Sequence, residues 1–168
     1  MKPRLAREIA VSSLYQMEMN EVSAGEAVDM VMEEAKADNE IGLVVEELSA
    51  VDAYSRELVE AVHARKEELD RELAVFLTGW QVDRLSRVDR QILRLAVYEM
   101  TYRNVPPKVV VNEAIELAKH FGLDESGKFV NGVLGRMIRE KAAVAGSTAE
   151  SAAPAPAADR NTEEGRSE

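Results

Sequence analysis

Helix, stop, helix is the order written between Pro106 and Arg136, and no other stretch constrains the fold as much. Pro106 and Pro107 end whatever precedes them, because neither donates a backbone hydrogen bond and both resist a helix interior. From Lys108 onward Val110, Ala114, Leu117, Ala118 and Phe121 recur at helical spacing, so one face is buried. Gly122 ends this helix, since glycine takes the left-handed cap without strain. Asp124 or Ser126 then caps a second helix with the stripe Val130, Val133, Leu134, Met137 and Ile138. The connection presents Lys128 and Phe129 beside Asn131 and Gly132. A ring face, a cation and the free N–H groups of a helix start are together what a single nucleic-acid strand uses. The competing reading has Phe129 plugging the end of a helix bundle.

The rest of the chain repeats the same grammar. Pro3 suits a first helical position, and Ala6, Ile9, Ala10, Ser13, Leu14 and Met17 build one packed face of a helix ending near Asn20. Arg4 and Arg7 stand three apart on that helix and Lys2 precedes them; positive charge there opposes the helix dipole. Ser23 with Glu26 is a capping box for a helix to about Ala37, and Asp38 to Gly42 reads as a loop. A helix from Leu43 or Val51 to about His63 follows, with Val51, Tyr54, Leu58 and Val62 in register, then one from Lys66 to Leu77 burying Leu69, Leu73 and Phe76. Thr78 and Gly79 break it, and Trp80 in the connector reads as a core anchor, with a partner-binding hot spot as the alternative. Ser86 with Asp89 is a second capping box, opening the longest central helix, Arg87 to Arg103. Its periodic residues are Val88, Ile92, Leu95, Ala96, Tyr98 or Glu99, and Tyr102, apolar around more than half the circumference, as in a helix through the middle of a fold.

The expected fold is therefore all-α, with about seven helices over residues 1–141. Ala142 to Glu168 is alanine, serine, proline, glycine and charge without a period, which reads as a disordered tail. Cysteine is absent, so disulfides and thiolate chemistry are excluded, consistent with a cytoplasmic protein. No apolar run approaches a membrane span and no signal-peptide core opens the chain. Glu60 and His63 form E-x-x-H, half of a di-iron bundle site, but no second copy exists, so no metal or other cofactor is expected. Phosphate loops, nucleophile elbows and zinc-protease motifs are missing too, which argues against an enzyme. The net charge of −10 argues against general nucleic-acid affinity, although the basic residues Lys2, Arg4 and Arg7 stand apart from the acidic stretch 21–60.

Three blocks in order resemble one known family. KPRLAREIAVSSLYQ is similar to the arginine-rich first helix of the transcription antitermination factor NusB family. GWQVDRLSRVDRQILRLAVYEM resembles its central element, and NEAIELAKHFG followed by SGKFVNGVL resembles its C-terminal signature. The resemblance implies two small helical subdomains and a non-catalytic adapter. Such an adapter would bind boxA RNA of ribosomal RNA leaders with NusE, a ribosomal protein, and help RNA polymerase resist termination. It also implies that Lys2, Arg4, Arg7 and Lys128 meet RNA, that Tyr15 flanks the groove, and that Phe129 stacks on a base. Arg87, Asp89, Arg90 and Glu99 would face NusE. Some family members self-associate through the RNA-facing surface, so a homodimer is a further expectation. A related domain is fused to ribosomal RNA cytosine methyltransferases, but this chain has neither the cysteine nor the cofactor loop of such an enzyme. A helical protein–protein module that has lost RNA binding is the other alternative.

Overall fold

The computed structural model describes residues 2–38, 45–77, 81–122 and 124–152. Among these the chain forms seven α-helices and one short 3-10 turn, with no strand. They are α1 (Pro3–Asn20), α2 (Ala24–Asp38), α3 (Val45–Ala64), α4 (Lys66–Ala74), the 3-10 turn Val82–Arg84, α5 (Arg87–Tyr102), α6 (Pro107–His120) and α7 (Asp124–Ala152). The chain divides into two compact units, residues 1–134 and 135–168.

In the first unit the helices pack in two groups. α1 lies against α2 and α3, which also touch each other; α5 lies against α4 and α6. α1 and α5 meet, so these two helices join the groups. The reason is their apolar coverage. α1 buries Ala6, Ile9, Ala10, Val11, Leu14 and Met17, a width that serves two neighbours at once. α5 buries Ile92, Leu93, Leu95, Ala96, Val97 and Tyr98, and so occupies the middle, as its periodicity required.

The caps follow the sequence closely. Ser23 Oγ accepts from the Glu26 N–H while Glu26 Oε1 accepts from the Ser23 N–H, a complete capping box that holds the Glu26 carboxyl below its ordinary range. Ser86 Oγ accepts from the Asp89 N–H at 3.1 Å. Here the box is half made, because Asp89 Oδ1 is buried with no hydrogen-bond partner among the described residues. Gly122 takes φ +82°, the left-handed stop expected after α6.

Three boundaries differ from the sequence reading. α4 ends at Ala74; Phe76 and Leu77 stay buried but lie in i→i+3 bonded turns onto Leu73 and Ala74. α7 already includes Asp124, so neither Asp124 nor Ser126 is its cap. α7 also runs past Lys141 to Ala152, over a segment rich in alanine, the strongest helix former. Residues 153–168, the Asp38–Gly42 loop beyond Asp38, and Trp80 with its neighbours Thr78 and Gly79 lie outside the described residues. The second unit contains the remainder of α7, where Arg136 Nε donates to Glu140 Oε2 at 2.6 Å across one turn.

Candidate nucleic-acid and partner surfaces

The N-terminal cations divide between surface and interior. Lys2 is exposed and forms no ion pair among the described residues. Arg4 is exposed and forked onto Glu113 of α6, with Nε at 3.0 Å from Oε1 and Nη2 at 2.9 Å from Oε2. Glu116 stands 4.0 Å from the remaining nitrogen. Hydrogen bonding to Arg4 holds the Glu113 carboxyl below its ordinary range despite partial burial.

Arg7, expected beside RNA, is inside. Its side chain is 9% exposed, and Nε donates to both oxygens of Glu99, at 2.8 and 3.1 Å. Glu99, expected to face a protein partner, is 2% exposed and cannot front one. Tyr54 Oη of α3 donates to the same carboxylate at 3.2 Å. Burial works against the Arg7 charge, and the hydrogen bonds and field of Glu99 more than offset it. Burial, with the Glu99 charge behind it, also pushes the Tyr54 phenol up, so the network stays one cation, one anion and one neutral donor. Arg7 Nη1 lies 3.7 Å from Glu113 Oε1. Glu113 therefore stands between the two arginines.

Arg90 is also interior. It donates to the carbonyls of Val82, Asp83 and Leu85 and to Glu18 of α1, so it fastens the 3-10 turn to the start of α5 instead of facing outward. Arg87 is exposed and reaches the same Glu18 oxygen at 3.3 Å. Gln91 donates to the other oxygen at 2.8 Å, which makes Glu18 the meeting point of three α5 side chains. Asp89 is half-buried beside them. A cleft of about 600 Å³ opens here, with Glu18, His63, Lys66, Asp70, Arg90 and Gln91 on its walls. Burial, and then the nearby Lys66 and Arg94 charges, push the His63 imidazole pKa down, favouring its neutral form. No group of three or more His, Asp or Glu among the described residues could hold a metal ion.

Lys128 and Phe129 sit more than a full turn into α7, not in a loop. Within a helix the unbonded N–H groups are those of its first three residues, here Asp124 to Ser126. Lys128 is exposed and unpaired among the described residues, and Phe129 is half-buried. Tyr15 is half-buried on α1. Sequence reasoning missed Glu113 and Glu18, and placed Tyr54 in core register without its bond to Glu99. The available signal was phase: Arg7 shares the buried face of Ala10, Val11 and Leu14, and Glu99 that of Ile92, Leu95 and Ala96. A charge in core register needs a buried partner.

Residues 4–139 match the model of the NusB family. The chain belongs to the NusB family. Proteins called transcription antitermination protein NusB are similar over most of the chain. That of Bacillus subtilis (strain 168) is 40% identical over 135 residues, covering 80% of this chain and 92% of the relative. That of Myxococcus xanthus (strain DK1622) is 41% identical over 135 residues, again 80% and 92%. Among solved structures, NusB of T. maritima superposes with a TM-score of 0.69 at 29% identity, covering 83% of this chain and 92% of that one. A crystal structure of the antitermination factors NusB and NusE in complex with dsRNA superposes with a TM-score of 0.68 at 28% identity, covering 82% and 96%. The NusB fold is thus this chain's fold, all-helical among the described residues.

Proposed function

We propose that this protein is a non-catalytic antitermination adapter that binds boxA-type RNA of ribosomal RNA leaders together with NusE, and so helps RNA polymerase resist termination. The observation that carries the reading is family membership across residues 4–139, joined to the likeness with NusB solved beside NusE and RNA. Exposed cations support it: Lys2 and Arg4 at α1, and Lys128 next to the half-buried ring of Phe129 on α7. These residues, with Tyr15, are assigned to RNA; Arg7 supports them from inside by fixing α1 against α5. Arg87 and the exposed part of Asp89 are assigned to NusE, and Arg90 shapes that surface from beneath. No helix among the described residues is long and apolar enough to cross a membrane, which suits work on nascent RNA in the cytoplasm.

The test is fluorescence anisotropy of a labelled boxA-type RNA, with and without NusE, at two salt concentrations. Binding should tighten with NusE and weaken with salt as phosphate contacts release counterions. Alanine at Arg4, Lys128 and Phe129 together should weaken RNA binding, with about 1–3 kcal/mol from the lost stacking alone, while NusE binding survives. No RNA binding in either condition would overturn the adapter reading in favour of a protein–protein module. Sedimentation of the free protein in the same buffer measures whether a homodimer closes the RNA-facing surface.

A further inference from the structure

We infer that Glu113 is an internal competitor for RNA phosphate, holding Arg4 in the free protein and setting the intrinsic RNA affinity; this rests on the RNA-binding reading above. Arg4 presents Nε and Nη2 to Glu113 in a two-point fork, 3.0 and 2.9 Å. A phosphate diester is recognised by the same two-point geometry, so carboxylate and phosphate cannot both occupy it. Arg4 is 55% exposed, which leaves it open to an incoming strand.

Releasing Arg4 does not strand the carboxylate. Glu113 Oε1 already lies 3.7 Å from Arg7 Nη1, and Arg7 is fixed in place by Glu99. On exchange, Arg4 turns outward to phosphate and Glu113 keeps the Arg7 charge beside it. Glu116, half-buried, 4.0 Å from Arg4 and also paired with Lys119 at 3.7 Å, is a weaker second competitor. The arrangement resists RNA that offers phosphate at one point only, because the carboxylate must be displaced. A strand that contacts the other cations as well meets that cost easily.

The experiment compares full-length wild type with Glu113→Gln, Glu116→Gln, Arg4→Ala and the double variant Arg4→Ala/Glu113→Gln, titrating labelled boxA-type RNA at low and high salt. Glu113→Gln should bind about two- to fivefold tighter than wild type at low salt, the range expected of an exposed pair, and the gain should shrink at high salt. Glu116→Gln should gain less. In the Arg4→Ala background the Glu113→Gln gain should vanish, which separates release of Arg4 from a general loss of negative charge. A gain that persists without Arg4, or wild type binding RNA with Glu113→Gln no tighter, would overturn the competitor role and leave the adapter reading standing. Failure of both proteins to bind would overturn both. Matching thermal melts and far-ultraviolet circular dichroism establish that the variants compared are folded.

Discussion

At the scale of single residues, Arg7 and Glu99 are the decisive pair. Two charges taken out of water are costly, and removing one strands the other. Glu99→Gln or Arg7→Ala should therefore lose about 3–5 kcal/mol in urea melts, whereas replacing both with apolar residues of similar volume should lose far less. Arg4 and Glu113 act differently with pH. The Glu113 carboxyl is held below its unfolded value by Arg4, so its contribution is present above the unfolded pKa and lost as pH falls through the lower, folded one. Stability differences between wild type and Glu113→Gln should thus be seen at neutral pH and disappear in strong acid, read from denaturant midpoints. Both arginines read as candidates for RNA, and only phase against the buried Ala10, Val11 and Leu14 separates Arg7 from Arg4. That its partner is Glu99, 92 positions away, is decided when α1 packs on α5.

At the scale of elements, the sequence was most informative where chemistry is local. The Ser23–Glu26 box, the Ser86 cap and the Gly122 stop all formed where their residue types required. Replacing Ser86 with alanine should cost about 1 kcal/mol, measured by thermal unfolding, because the Asp89 N–H then loses its acceptor. Gly122→Ala should cost about 1 kcal/mol although nothing crowds the position, since the strain comes from φ alone. Legibility failed at helix starts without a clear cap. Lys128 and Phe129 read as part of the connection at a helix start, with Ser126 a candidate cap, yet α7 begins at Asp124 and carries them inside. Gly127 faces α6 there, where an added Cβ would make only an ordinary contact, 3.9 Å from Ile115. For the candidate site this changes the chemistry from helix-end donors to a side-chain cation and a ring.

For the molecule as a whole, a net charge of −10, with carboxylates outnumbering the cations 31 to 21, favours a basic partner over bare RNA. The association rate with NusE should fall as salt rises from low to physiological, measured by stopped-flow, while the dissociation rate changes less. The joint between the two helix groups of the first unit has a further consequence. α1 belongs to one group and α5 to the other, and Tyr54 on α3 completes their shared carboxylate. Opening either group alone would leave a charge stranded in the other, so partial openings are penalised at this seam. Backbone amides around Arg7 and Glu99 should therefore exchange with solvent deuterium only when the whole bundle unfolds, at one common rate, although they sit on different helices.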